Sequence, residues 1–397
     1  MTVNQVYAFL NDALQQSIGA KALDTEDLTG LVSTGNALLD SSADLDKFLG
    51  VLTDRIGRVV LRNLDLTVNY PNIVRNGFEF GAALEKISIQ PLPTQANTAW
   101  EIGDVSYTPS QFAISKGDAF VSIFKDAVDT WKVRITIPDS LFKTAFTSPA
   151  EMGAFIDGLI NSLTESMTMA LNQMNKVCVN NFIGQLLYDD KQVCHLLTEY
   201  NAAYPGATIS TAEEAMHEAS FLKFAGKRIE DHMRYMNEPN VGYNKGVNGT
   251  GAVRRTARDS MHVFMLSEFN SAYDLYLTAD TFHDNMVGLP YFQPTTAWQD
   301  AWGEHETSPG SGTYVKDDQP SFKAASSIDI TTSDGDSVST DYIVCALADR
   351  EALGTTMYGV KSSSVRNDED EYTNLATKAT VGYFNDFTEQ GMVFVID

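Results

Sequence analysis

Hydrophobic positions recur at helical spacing along one long stretch of the chain. Between Thr147 and Leu187, Met152, Phe155, Ile156, Leu159, Ile160, Leu163, Met167, Ala170, Leu171, Met174, Val177 and Cys178 follow one another at one-face helical spacing. Asp157, Asn161, Glu165, Thr168, Asn172 and Lys176 take the opposite side. The pattern predicts one helix of about forty residues, about 60 Å long at 1.5 Å per residue, several times the usual length. Ser148 is placed as its N-cap, Pro149 at the first helical position and Glu151 at the third, the arrangement of a capping box. The spacing drifts between three and four, as on a straight helix against a sheet, and does not keep the strict heptad of a coiled coil. A plain core helix would show the same stripe; the length favours a spine.

Elsewhere the period changes. Val6, Phe9, Leu10, Ala13 and Leu14 fall on one helical face. A second helix is expected from Ser41 or Ser42, with Leu45, Phe48, Leu49, Leu52, Ile56, Val59 and Val60 as its stripe, dissolving into strand at "VVLRNLDLTVNY". Residues 66–146 carry period-2 signals broken by turns. "EKISIQPLP" is a strand halted by Pro91 and Pro93, and Val133, Ile135 and Ile137 alternate in "WKVRITIP". This region is aromatic, extended and poor in a core of its own, which reads as a long two-stranded arm. Thr211 to Glu238 reads as one amphipathic helix capped by Thr211 with Glu214 at its third position. "MHVFML" suits a buried strand, and residues 286–341 are loop-heavy, with Trp298 and Trp302. "DYIVCALADREALG" reads as a strand, then a turn or short helix; Asn367–Glu371 is an acidic loop, and the chain closes on strand, turn, strand.

A chain of 397 residues can build two or three domains with real cores. Its 52 acidic and 28 basic residues leave a formal net charge of -24, which argues against a dedicated nucleic-acid binder and is compatible with solubility, or with a wall to which DNA does not stick. Cys178, Cys194 and Cys345 are an odd, widely spaced set that reads as reduced thiols rather than a disulfide framework. The start has no basic, apolar leader pattern, and no apolar run is long enough to span a membrane. The Asn248 sequon would matter only in a secreted protein.

Chemical motifs are sparse. The six histidines, His195, His217, His232, His262, His283 and His305, form no metal-ligand spacing, and the adjacent Cys194 and His195 point in different directions. "GVNGTG" lacks the Lys and Ser/Thr of a phosphate loop and precedes a strand, so a surface turn is the better reading. Arg254, Arg255 and Arg258 are the densest basic cluster in this acidic chain; they suit either a phosphate contact or a salt bridge to a neighbouring subunit. Asp334 and Asp336 lack the rest of a calcium loop. No nucleophile, base and orienting acid can be assembled, so no enzyme and no cofactor is expected.

The order of parts carries more. "FLGVLTDRIGRVVLRNL", "GFEFGAALEKISI", "IPDSLFKTAF" running into the long helix, and "AVRRTARDSMHVFML" follow in sequence. Together, over about 48 to 397, they resemble the major capsid proteins of small short-tailed phages of the phi29 type, which share the Johnson fold of tailed-phage capsids and encapsulins. The resemblance implies an α+β chain with a long spine helix, an extended E-loop, and peripheral and axial domains. It would divide the chain into an N-terminal arm (1–65), peripheral strands (66–92), the E-loop (93–136), the peripheral domain with the spine helix (137–195), the axial domain (196–348) and peripheral return strands (349–397). In that scheme Trp100, Tyr107, Phe112, Phe120, Phe124 and Trp131 anchor the E-loop on an adjacent subunit, since aromatics dominate interface energies, although some of them could pack within their own subunit. Arg254, Arg255 and Arg258 are further candidates for intersubunit contact.

The function implied is a shell protein of the virion. It would assemble in the bacterial host cytoplasm as pentamers and hexamers of an icosahedral shell around double-stranded DNA. A separate scaffolding protein and a portal are implied partners, DNA is held non-specifically, and no membrane is involved. The extra C-terminal domain that some such capsid proteins carry is not expected here. An encapsulin-like nanocompartment is the alternative of the same fold. A soluble enzyme using Gly246 to Arg258 as a phosphate site has only the glycine cluster behind it.

Overall fold

The computed structural model describes residues 10–16, 32, 44, 47–52, 69–75, 83–89, 119–125, 128–145, 147–246, 252–280, 292–308, 312–331, 335–367 and 369–397. Val6, Phe9, Leu45, Ile56, Val59, Val60 and most of "VVLRNLDLTVNY" lie outside them, as do the glycines Gly249 and Gly251. Contacts divide the chain into two interleaved units. The first takes Met1–Ala82, Asp126–Val177 and Thr355–Tyr383; the second takes Ala83–Lys125, Cys178–Gly354 and Phe384–Asp397.

The long helix runs Pro149–Asp189. Ser148 caps it as the sequence predicts: its Oγ accepts from the Glu151 N–H at 3.2 Å, satisfying one of the donors left over at a helix start. Asp190 ends it in the left-handed region, at φ 52, with its N–H on the Leu186 carbonyl; a short polar side chain tolerates that conformation better than most.

In the first unit this helix buries Met152, Ile156, Leu159, Ile160, Leu163 and Met167 against Leu10, Leu14, Phe48, Leu52 and Leu375. A three-stranded antiparallel sheet supplies the other wall, in the order Leu353–Asn367, Tyr372–Asn385, Val128–Pro138. Its register runs from Tyr372 opposite Pro138 to Gly382 opposite Val128. The predicted alternation holds: Val133, Ile135 and Ile137 turn inward, while Lys132, Arg134 and Thr136 are exposed. One expectation fails. Val177, placed in the buried stripe, is 47% exposed. Met174 and Cys178, one turn apart, are buried, but beyond them the buried face turns toward Val179, Phe182 and Ile183, which leaves Val177 on the far side of the helix at 3.6 residues per turn.

In the second unit a five-stranded sheet has the order Val193–His195, Gly391–Val395, Ile343–Asp349, Met261–Leu266, Gln293–Thr295. The three inner strands are antiparallel and each edge strand is parallel to its neighbour. Every residue of Ile343–Asp349 is buried, so both faces of the central strand are covered, which explains why "MHVFML" and "IVCALA" read as continuous apolar runs rather than alternating ones. The Trp298 side chain, 1% exposed, donates from Nε1 to the Ile343 carbonyl at 2.7 Å. The carbonyl of Trp298 in turn accepts from Asn180 Nδ2 on the long helix at 2.8 Å.

Thr211 to Glu238 is two helices, not one: Ala212–Ala215 and Ala219–Met236. The cap at Thr211 is present, its side chain accepting from the Glu214 N–H. The helix then tightens, with His217 N bonded to Glu214 O and Glu218 N to Ala215 O, and Glu218 turns extended. Ser220 holds that break, bonding Glu218 Oε1 at 2.9 Å and the Tyr200 hydroxyl at 2.7 Å. A glycine is required farther along the second helix: a Cβ at Gly226 would stand 2.5 Å from Tyr273 Cε2, on helix Ser267–Asp280.

Candidate assembly surfaces

Three sets of residues singled out by the sequence can now be placed. Strand Ala83–Ile89 pairs antiparallel with strand Ala119–Lys125, from Ala83 opposite Lys125 to Ile89 opposite Ala119. The pair forms a two-stranded sheet of its own. It joins a strand assigned in the sequence to the peripheral region to one assigned to the arm. Phe120 and Phe124 sit on the second strand of this hairpin, whereas Trp100, Tyr107 and Phe112 lie outside the described residues. Trp131 belongs to strand Val128–Pro138 and packs, partly buried, against Leu171, Met174 and Val381 of its own chain.

The middle of the first strand carries a charge cluster. Lys86 Nζ lies 2.9 Å from Asp386 Oδ2 and 2.8 Å from Glu389 Oε1, and donates to the Glu351 carbonyl at 3.4 Å. Asp386 is 2% and Glu389 12% exposed at the side chain, so little water shares the load. Asp386 Oδ1 also accepts from the N–H and hydroxyl of Thr388. Burial holds the Glu389 carboxyl above the ordinary carboxylate range, although Lys86 and Arg254 pull it down; the charge of Asp349 pushes it further up. The sequence contains no sign of this cluster. Lys86 and Asp386 are 300 residues apart, and a lone lysine in a strand reads as a solvated face.

The three arginines do not act as one patch. Arg254, 13% exposed, points Nε at Glu389 Oε1 (3.5 Å) and at the Thr388 carbonyl (3.3 Å). Arg258 makes a two-pronged contact with Glu230, both bonds at 3.0 Å. Arg255 is exposed and donates from Nε to the neutral Asn237 carbonyl at 2.8 Å; it has no ion pair among the described residues. Just before them, the Asn244 side chain bonds both the N–H and the carbonyl of Ala252, and Asn240 bridges Arg254. The glycines Gly249 and Gly251, between Asn244 and Ala252, lie outside the described residues.

Among the described residues no three His, Cys, Asp or Glu side chains are grouped to hold a metal ion. Three histidines have side-chain partners: His195 lies between Asp190 and Asp397, His232 bonds the Tyr243 hydroxyl through Nδ1, and His305 bonds Asp317. Cys194 and His195 do diverge: Cys194 is buried toward Glu199, and burial pushes its thiol up to about 12, so it is no nucleophile at neutral pH. No helix of the described residues is long and apolar enough to cross a membrane. Asp336 accepts from the Tyr188 hydroxyl at 3.0 Å, and Asp334 lies outside the described residues.

Comparison with known proteins follows the same line. The structure is similar to the capsid of Staphylococcus phage Andhra, with a TM-score of 0.50 and 10% identity over 83% of this chain and 85% of that one. A chain in the structure of the head fibre and inner core protein gp22 of native bacteriophage P68 is similar with a TM-score of 0.50 and 9% identity, again over 83% and 85%. At such identities the likeness speaks for the fold. No curated protein matches the chain. The model of the Phi29-like phage major capsid protein family matches residues 6–395. With nearly the whole chain matched, and with a spine helix and mixed sheets of the tailed-phage capsid kind, the protein belongs to the Phi29-like phage major capsid protein family and is a subunit of a phage capsid shell.

Proposed function

We propose that the chain assembles as pentamers and hexamers of an icosahedral shell around double-stranded DNA, in the bacterial cytoplasm, with a scaffolding protein and a portal as partners. The hairpin Ala83–Ile89/Ala119–Lys125 carries this reading. Two strands make a marginal structure alone, and the first of them is fixed at mid-length by Lys86 on buried carboxylates. Such an arm gains most by lying on a neighbouring subunit, with Trp100, Tyr107, Phe112, Phe120 and Phe124 as its anchors. Trp131 and Arg258, already engaged within their own chain, contribute less than these. Arg254 shares Glu389 with Lys86, the residue that fixes the arm. The net charge of -24 suits a wall that confines DNA without gripping phosphate. An encapsulin-like shell is not favoured, because the family matched is that of phage capsids.

The arm reading is tested by replacing residues 90–118 with a short hairpin turn. The variant is expected to keep the parent's cooperative melting transition and to lose closed particles in sedimentation. Particles formed at the parent's yield would remove the arm from the assembly mechanism.

A further inference from the structure

Arg255 stands beside an exposed apolar surface. Val241 and Val253 are 52% and 38% exposed, and they flank the Asn240–Arg254 bridge on opposite strands, so they are neighbours across it. Tyr235 is 55% exposed, and its backbone carbonyl accepts from Asn240 Nδ2. Glu230 takes both Arg258 and Arg234, whereas Arg255 has only uncharged partners among the described residues.

A second surface in the same unit has the opposite character. Met216, Leu275, Phe322 and Glu268 line a groove. Leu275 is 66% exposed. Glu268 has no ion pair among the described residues, and partial burial raises its carboxyl. Within one copy the two surfaces are far apart. Strand Met261–Leu266 separates Arg255 from Glu268, about 20 Å at 3.3 Å per residue. Helix Ala219–Met236 likewise has Met216 before its start and Tyr235 at its end, about 27 Å at 1.5 Å per residue.

We infer that these surfaces are partners between copies: Arg255 of one subunit meets Glu268 of the next, with Val241 and Val253 laid against Leu275 and Phe322. The contact uses different surfaces at opposite ends of one unit, so it is head-to-tail and repeats around a ring instead of closing a two-fold dimer. An unpaired cation and an unpaired anion, each beside exposed aliphatic side chains, complement each other in charge and in apolar character. The inference rests on the many-copy shell of the proposed function.

The test is a charge swap. Arg255→Glu and Glu268→Arg are each expected to raise the concentration needed for assembly roughly tenfold or more, the scale of one interfacial charge pair reversed, without lowering the melting temperature. The double variant is expected to return to within about threefold of the parent. Singles that assemble like the parent, or a double no better than the singles, would overturn the contact. A second measurement reads it where closed particles do not form. Full-length Arg255→Cys and Glu268→Cys are mixed at high concentration with a short bismaleimide, the native cysteines being buried. A linked dimer in the mixture, exceeding that in either variant alone, supports the contact; its absence rejects it. A parent that forms no particles, together with a variant mixture that gives no linked dimer, counts against the shell reading itself, whereas parent particles without the link in the mixture count against this contact alone.

Discussion

Leu163→Asp is expected to unfold the first unit. Leu163 is 1% exposed and sits in the middle of the cluster that joins the long helix to Leu10, Phe48, Ile137 and Leu375. A carboxylate there meets aliphatic side chains and no cation, and the neutral acid still loses its bonds to water. Removing the leucine side chain alone costs about 2–5 kcal/mol, and an unpaired buried polar group adds about 1–3 kcal/mol. The sum is comparable to the whole stability of a typical domain, about 5–15 kcal/mol. Denaturant titration by circular dichroism should show the folded baseline lost or the midpoint sharply lowered, with no shells by sedimentation. Leu163→Met, which keeps volume, should cost less than about 1.5 kcal/mol. A Leu163→Asp variant with the parent's midpoint would mean that this helix face is not buried.

Lys86→Met should have the next largest effect. It leaves Asp386 and Glu389 buried with Arg254 as the remaining cation, 3.5 Å from Glu389. Breaking a buried pair by removing one partner costs about 3–5 kcal/mol, and Arg254 should hold the loss toward the lower figure. The loss also has a pH signature. Glu389 already has its folded pKa raised above the ordinary value, and removing Lys86 raises it further. A carboxyl with a raised folded pKa binds its proton more readily in the folded state, so stability falls as pH rises from the unfolded pKa through the folded one. The variant should therefore recover part of its deficit on acidification from pH 7 to pH 5, as measured by melting temperature against the parent. A deficit unchanged or larger at pH 5 would contradict the assignment of Glu389 as the orphaned group.

Much of the fold could be read from the sequence because its strongest signals are local. Ser148, Pro149 and Glu151 mark the start of the long helix, and its stripe through Leu163 needs no tertiary knowledge. The alternation at Val133, Ile135 and Ile137 predicts a half-buried strand, and the structure pairs it with Leu375 and its neighbours. What failed is set by contacts distant in sequence. Val177 is apolar and correctly spaced, but past Met174 the helix buries Cys178, Val179, Phe182 and Ile183. Asn175 and Asn180, polar residues on that same helix, are buried because Asn69, Thr355 and Trp298 supply their bonds. The break at Glu218 depends on Ser220 reaching Tyr200, which no helix propensity records. The surfaces were legible only as composition. The arginine cluster stands out in an acidic chain, yet its division into Arg254 held by Glu389, Arg258 held by Glu230 and an Arg255 with only neutral partners required the positions of residues far along the chain.

The central claim, that this chain is a shell subunit, is tested most directly by electron microscopy of the purified full-length protein at rising concentration, with and without a crowding agent. Closed shells with five-fold and six-fold clusters of subunits are the predicted result. A monodisperse monomer at every concentration, coupled with saturable binding of a phosphate ligand by that monomer, would contradict it.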